Sequence, residues 1–177
     1  MVKKILIFFI YLIFFITSII YFMPKVNLYY FLEHKLKPSS VIISMEEVED
    51  KGLNLEIQNA KVFFKSIKSA EISKINLSIF LIFNKLHAKN ITLSSIAKSF
   101  IPTKIDNIDV VISILNPLNA HIYVTGEFGK AYGVYNIIDK SLKVKLTPSD
   151  IMKIKYKKTL MGLKKSENGE YEYVKNF

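Results

Sequence analysis

The side chains of this chain that could do chemistry are few and scattered. Three histidines, His34, His87 and His121, could in principle ligate a metal or act as bases, but no two stand at a ligand spacing such as His-x-x-x-His. Serines are frequent, yet none sits in a Gly-x-Ser-x-Gly or Ser-x-x-Lys setting that would activate its hydroxyl. There is no cysteine, which removes thiol nucleophiles, disulfides and cysteine metal sites. The stretch "GEFGKAYG", Gly126 to Gly133, lacks the Gly-Lys-Ser/Thr of a phosphate loop and reads as a hairpin. Glu46 and Glu47 are adjacent, so on a strand they point to opposite faces and cannot work as an acid–base pair. The expectation is a protein that is not an enzyme and takes no cofactor. No residue is assigned a catalytic, cofactor-binding or metal-ligating role.

Charge points to other kinds of partner. The 25 basic residues are all lysines and the net charge is +10. Arginine, with its forked guanidinium, is the usual reader of bases and phosphates, so its absence argues against a nucleic-acid partner. Acidic residues cluster at Glu46, Glu47, Glu49 and Asp50, whereas nine lysines and one aspartate lie between Lys140 and Lys165. Lys143, Lys145, Lys153, Lys157 and Lys158 are candidate contacts to an anionic surface. The alternative for all five is a solvated lysine face.

The element that must position everything else is the first one. Ile5 to Met23 is uncharged and flanked by Lys3, Lys4 and Lys25. A helix rises about 1.5 Å per residue, so a run of this length spans a hydrocarbon layer of about 30 Å. It exceeds a secretory h-region, and no small-x-small cleavage site follows at Tyr21-Phe22-Met23-Pro24. The reading is an uncleaved signal-anchor whose membrane-embedded residues include Ile5, Phe8, Phe9, Leu12, Phe15, Ile19 and Phe22. The lysine pair before the span predicts a cytoplasmic N-terminus. The remainder is then placed in the periplasm of a bacterium, single-pass in the inner membrane. The expected division is a cytoplasmic tip (1–4), a transmembrane signal-anchor (5–23), a juxtamembrane segment (24–40) and a periplasmic β-rich domain (41–177). In the juxtamembrane segment, Tyr29, Tyr30 and Phe31 suit either an interfacial aromatic belt or packing against the domain.

Beyond Val41 the period becomes two. "GLNLEIQNAKVFF" sets Leu53, Leu55 and Ile57 against Asn54, Glu56 and Gln58, and "AEISKINLSIFLIF" continues the alternation through Ile75, Leu77, Ile79, Leu81 and Phe83. The phase changes near Asn90. Four further strands follow, with "NP", "GEFGK" and "DKS" as turns. "TPSDIMKIKYKKTLMGLKK" predicts one helix over about 148–163, with Thr147 as its cap. The expected fold is mainly β: an antiparallel meander of about eight strands, open or partly closed like a barrel, with one C-terminal α-helix and the N-terminal anchor. "SIFLIF" and "DVVISIL" are apolar at both parities, which predicts a second apolar surface. Ile79, Phe80, Leu81, Ile82 and Phe83 are therefore the candidate face for a partner or lipid.

The order of anchor, then "AEISKINLSIFLIFNKLHAKNITL", then "NAHIYVTGEFGKAYGVYNIIDKSLKVKLTPSDIM" resembles general secretion pathway protein N of the type II secretion system. More distantly it resembles AsmA-like and LptC-like periplasmic sheets. The first resemblance implies a non-enzymatic accessory of a secretion or pilus-type assembly, a scaffold whose partners are the inner membrane and other membrane proteins of the apparatus. The second implies a lipid-handling protein that presents an apolar β-groove to acyl chains. A third reading is an interaction module of another complex. A lipid carrier should show a continuous apolar inner face open to solvent, whereas a scaffold should have a closed core and a polar exterior.

Overall fold

A computed structural model describes residues 2–80 and 82–177 of the chain. The apolar run forms helix α1 (Val2–Phe22), which is long and apolar enough to cross a membrane and has none of its residues buried in the protein. Its threonine and serine hydroxyls bond back to the preceding turn, Thr17 Oγ1 to the Ile13 carbonyl at 2.8 Å and Ser18 Oγ to that of Phe14 at 2.9 Å. Neither of these two short hydroxyls is left unpaired. Pro24 ends it, and α2 (Lys25–Leu36) follows, closed by a 3₁₀ turn over Lys37–Ser39 that contains Pro38. The juxtamembrane aromatics divide: Tyr29 is buried against the sheet, while Tyr30 and Phe31 are exposed.

All the strands belong to one antiparallel sheet: β1 (Val41–Ser44), β2 (Glu47–Asp50), β3 (Asn54–Phe64), β4 (Ile67–Ile79), β5 (Phe83–Leu93), β6 (Lys104–Ser113), β7 (Asn116–Gly126), β8 (Gly129–Asn136), β9 (Ser141–Pro148), β10 (Lys164–Lys165) and β11 (Tyr171–Asn176). Their spatial order is β1-β3-β4-β5-β6-β7-β8-β9-β11-β10, with β2 also on β3, so the sheet is an open meander. Between β9 and β10 lie α3 (Asp150–Lys155) and α4 (Lys157–Met161). The mainly-β meander with an apolar N-terminal helix and a short helical C-terminal segment matches the expectation from sequence.

The period of two makes one face apolar. Leu55, Leu77, Leu86, Val110, Ile122, Gly133 and Val144 form one cross-strand row, and Ile57, Ile75, Ala88, Ile108, Val124, Ala131 and Leu146 form the next. The opposite face carries Glu56, Asn76, His87, Asp109, Tyr123, Tyr132, Lys145 and Glu172 in a single row. A break in phase crosses four neighbouring strands. Inward residues there are spaced by three rather than two: Ile57 to Ala60, Ile72 to Ile75, Ala88 to Ile91 and Ile105 to Ile108. Asn59 and Asn90 absorb it with positive φ, 57° and 52°, which asparagine tolerates better than most residues. Leu55, Ile57, Ala60, Ala88 and Ile91 beside this line are the centre of the core, together with Met152 and Leu160 from the C-terminal helices and Phe128.

Three details differ from the sequence reading. "SIFLIF" is not a strand apolar on both sides: β4 stops at Ile79 and β5 starts at Phe83, and the hairpin closes with the Phe80 N–H donating to the Phe83 carbonyl at 3.1 Å. Phe83 therefore shares parity with Lys85 and His87 rather than with Leu77. The C-terminal helix is interrupted at Tyr156, whose φ of −120° and ψ of 32° are not helical. Its cap is Ser149, whose side chain accepts from the Met152 N–H, because Thr147 and Pro148 are spent finishing β9.

Candidate apolar binding face

The apolar face is covered unevenly. Near the phase break it is closed: α2 lies over β1 and β2, with Tyr29 and Val26 in the core cluster, while Met152, Tyr156, Leu160 and Leu163 close the part next to β9 and β11. The portion of β6–β9 toward the other end has no such cover. Val110, Ile112, Ile122, Leu142 and Val144 point inward, are only half-buried, and lie outside the core cluster among the described residues. Ala120 and Gly133 are the small residues between them, so the floor is low; a Cβ at Gly133 would already touch Ile122 at 3.5 Å. The result is a shallow apolar trough across four strands.

Two cavities continue it. One of about 280 Å³ runs between β6–β9 and the segment after α4, lined by Ile105, Val124, Leu146, Leu163, Tyr171 and other apolar side chains. The second, about 470 Å³, shares Leu163 and Tyr171 with the first and is rimmed by Lys153, Lys157 and Lys165. Of the five candidate lysines, then, two line this cavity, while Lys158 is exposed on α4. Lys143 and Lys145 lie on β9 with the parity of the polar face, where Lys145 meets Glu172 at 3.7 Å. The five do not form one patch.

The end of the sheet nearest α1 is a rim of hairpin tips. Ile79 is the last residue of β4, Phe80 is half-buried, Ile82 and Phe83 are exposed, and Leu81 lies outside the described residues. A cavity of about 420 Å³ separates Phe80, Ile82, Phe83 and Leu53 from Ile13, Ile16, Thr17 and Ile20 of α1. The other anchor residues, Ile5, Phe8, Phe9, Leu12, Phe15, Ile19 and Phe22, are exposed along α1. Ile114, Leu115, Leu118, Ile137 and Ile138 stand exposed at the neighbouring tips. Sequence reasoning reached Ile114 and Leu115 only as the end of "DVVISIL" and passed over Leu118, Ile137 and Ile138, having treated "NP" and "DKS" as ordinary turns. The available signal was that the residues next to the turn formers are large and apolar, where turns are ordinarily polar.

What holds α1 to this rim is a buried ammonium. Lys25 is 1% exposed, and its Nζ donates to the carbonyls of Tyr21 (3.2 Å) and Met23 (3.3 Å) and to Asp50 Oδ1 (3.4 Å). Asp50 also accepts from the Gly52 N–H at 2.8 Å, which shapes the β2–β3 turn. Gly52 has φ of +82°, and a Cβ there would lie 2.3 Å from Tyr21 Cε2. Neighbouring Tyr29 donates to Glu46 at 3.4 Å; burial first, and then that carboxylate, push its phenol well above the usual range.

The polar face holds the titratable groups that sequence left scattered. His87 Nδ1 and Lys85 Nζ both lie 2.9 Å from Asp109 Oδ1, and His121 Nδ1 lies 2.8 Å from the Tyr132 hydroxyl. Partial burial alone would raise the Asp109 carboxyl; hydrogen bonds and charge from Lys85 and His87 outweigh it and hold it below its ordinary value. These are cross-strand pairs of a kind that stabilises any antiparallel sheet. The described residues contain no group of three His, Asp or Glu placed to hold a metal ion. In comparisons with protein-family models, curated proteins and solved structures, this chain matched none.

Proposed function

We propose that the chain is a membrane-tethered, non-catalytic lipid-handling protein whose uncovered sheet face takes up acyl chains. The observation that carries this reading is the trough of Val110, Ile112, Ile122, Leu142 and Val144, apolar in its inward positions but for the Tyr135 hydroxyl, yet left without a covering layer. An isolated soluble protein gains by covering such a surface, at about 25 cal/mol per Å² removed from water. An acyl chain gains the same by lying in it. In this reading α1 crosses the inner membrane, Lys3 and Lys4 keep the N-terminus in the cytoplasm, and the sheet stands on the periplasmic side. The first reading from sequence, a scaffold of a secretion or pilus-type assembly with lipid handling as its alternative, calls for a closed core, and the open trough favours the lipid reading over it.

The test replaces Ile122 with photoreactive benzoylphenylalanine in the full chain, in cells whose lipids carry radiolabelled acyl chains. Irradiation should attach label at position 122 and not at Tyr123, which neighbours it on the polar face. Equal labelling at the two positions, or none at 122, overturns the proposal. Protein adducts at 122 in place of lipid would favour the scaffold.

A further inference from the structure

We infer that the rim of hairpin tips beside α1 is a membrane-insertion edge, sunk into the outer-facing leaflet of the bilayer that α1 crosses. The inference rests on the reading of α1 as a membrane span and goes beyond lipid handling, since it concerns how the sheet is seated.

Four observations carry it. The first is depth. The tip residues Phe80, Ile82 and Phe83 face α1 from Ile20 back to Ile13. Ile13 precedes the end of the apolar run by ten residues, or roughly 15 Å of helix, which is about half of a hydrocarbon layer. A tip held beside that stretch enters the same leaflet.

The second is composition. Residues 79–83 and 114–118 contain no charge, and Ile82, Ile114, Leu115 and Leu118 are exposed. Asp139 and Lys140 appear at the β8–β9 tip, so that corner sits at the headgroups while the β4–β5 and β6–β7 tips go deeper.

The third is backbone satisfaction, without which a loop cannot enter hydrocarbon. The Phe80 N–H donates to Phe83 O (3.1 Å), that of Ile114 to Ile82 O (2.9 Å), and that of Ile137 to Leu118 O (2.8 Å). The Leu115 N–H donates to Ser113 Oγ (3.2 Å), and those of Ile138 and Asp139 both donate to Asn136 Oδ1 (2.9 Å). The bonds run from tip to tip, so the rim is one continuous edge.

The fourth is the 420 Å³ cleft between the tips and α1, lined almost wholly by apolar atoms and open to one side. In a bilayer an acyl chain fills it. The trough begins one row above this rim, at Ile112, Ala120, Tyr135 and Leu142, so a lipid tail can pass from the leaflet onto the sheet without crossing water.

The absence of cysteine makes the test direct. Ile82→Cys, Leu115→Cys and Ile138→Cys are each labelled with a nitrobenzoxadiazole fluorophore in the full chain, in phosphatidylcholine nanodiscs. Phe14→Cys in α1 and Lys98→Cys at the far end of the sheet serve as references, and Leu118→Cys replaces Leu115→Cys should the latter not fold. The labels at 82 and 115 should lose most of their emission to acyl chains carrying a nitroxide and little to aqueous iodide, with 138 intermediate and 98 the reverse of 82. If 82 and 115 behave like 98 while 14 is quenched by the lipid nitroxide, the rim is overturned and the span stands. If 14 also behaves like 98, the span fails and the rim with it. Shielding of 82 and 115 from both quenchers means that protein covers them, which overturns the membrane edge.

Discussion

The two ends of the sheet are built from the same strands yet meet different surroundings. At the α1 end the turns run through Phe80, Ile82, Ile114, Leu115, Ile137 and Ile138. At the other end they run through Lys65 and Ser66, Lys98 and Ser99, Glu127, and the lysine-bearing helices α3 and α4. Coverage differs too: the apolar face is closed around the phase break and under α2, α3 and α4, and open over the part of β6–β9 toward α1. Strand pairing does not require this asymmetry, since a hairpin closes as well on polar residues as on apolar ones. The contrast is one of charge: residues 79–83 and 114–118 carry none, although exposed apolar side chains such as Phe64, Ile67, Ile96 and Phe100 also stand at the far end.

The largest way to break that comparison is through the closed half. Ile57→Ala should cost about 2–5 kcal/mol, because its side chain is 1% exposed and the cavity left behind cannot collapse between β3 and its neighbours. Val110→Ala, in the open half, should cost about 1 kcal/mol or less. Urea denaturation of the full chain in detergent, followed by tyrosine fluorescence, measures both. Similar losses for the two would mean that the trough is ordinary core. A smaller effect on stability is expected at the rim. The double change Phe80→Asp, Ile82→Lys should alter unfolding by about 0.5 kcal/mol per site or less, yet abolish lipid labelling from position 122. Unfolding instead would place these side chains in the core.

The smallest effect lies on the polar face. The Asp109 carboxyl is depressed by Lys85 and His87, so its contribution is present above the ordinary carboxyl value and is lost as pH falls through the lower folded value. Asp109 remains partly exposed, which limits the contribution to about 0.5 kcal/mol. Asp109→Asn should therefore lose less stability than the parent as pH falls below the ordinary carboxyl value of about 4, a difference that thermal melts over a series of acidic pH values can read.

Much of the fold was legible because the sequence writes it in periods. The uncharged run from Ile5 and the alternation from Leu53 were unambiguous. The phase change at Asn90 is the visible part of a break that Ile57–Ala60, Ile72–Ile75 and Ile105–Ile108 repeat with the same spacing of three. "SIFLIF" was misread as a single strand because no turn former interrupts it before Asn84, and a hairpin tip in apolar residues carries no local signal. The helix break at Tyr156 was hidden too, since "IMKIKYKKTLM" is acceptable helical sequence throughout. The trough was out of reach for another reason. Val110 and Ile108 are indistinguishable along the chain, and only the placing of the helices α2, α3 and α4 decides which of them is covered.

Lys25 makes the anchor something other than an interchangeable tether. Its ammonium loses water only when the carbonyls of Tyr21 and Met23 come from one side and Asp50 from the other. An unpartnered charge in that position is strongly unfavourable. Helix exit and the first β-turn must therefore be completed together, which couples the seating of α1 to the folding of the sheet. A generic hydrophobic helix grafted before Val26 would still supply an apolar run long enough to cross a membrane. It would lack the tie through Lys25 to Asp50, and the rim would lose its fixed position against α1.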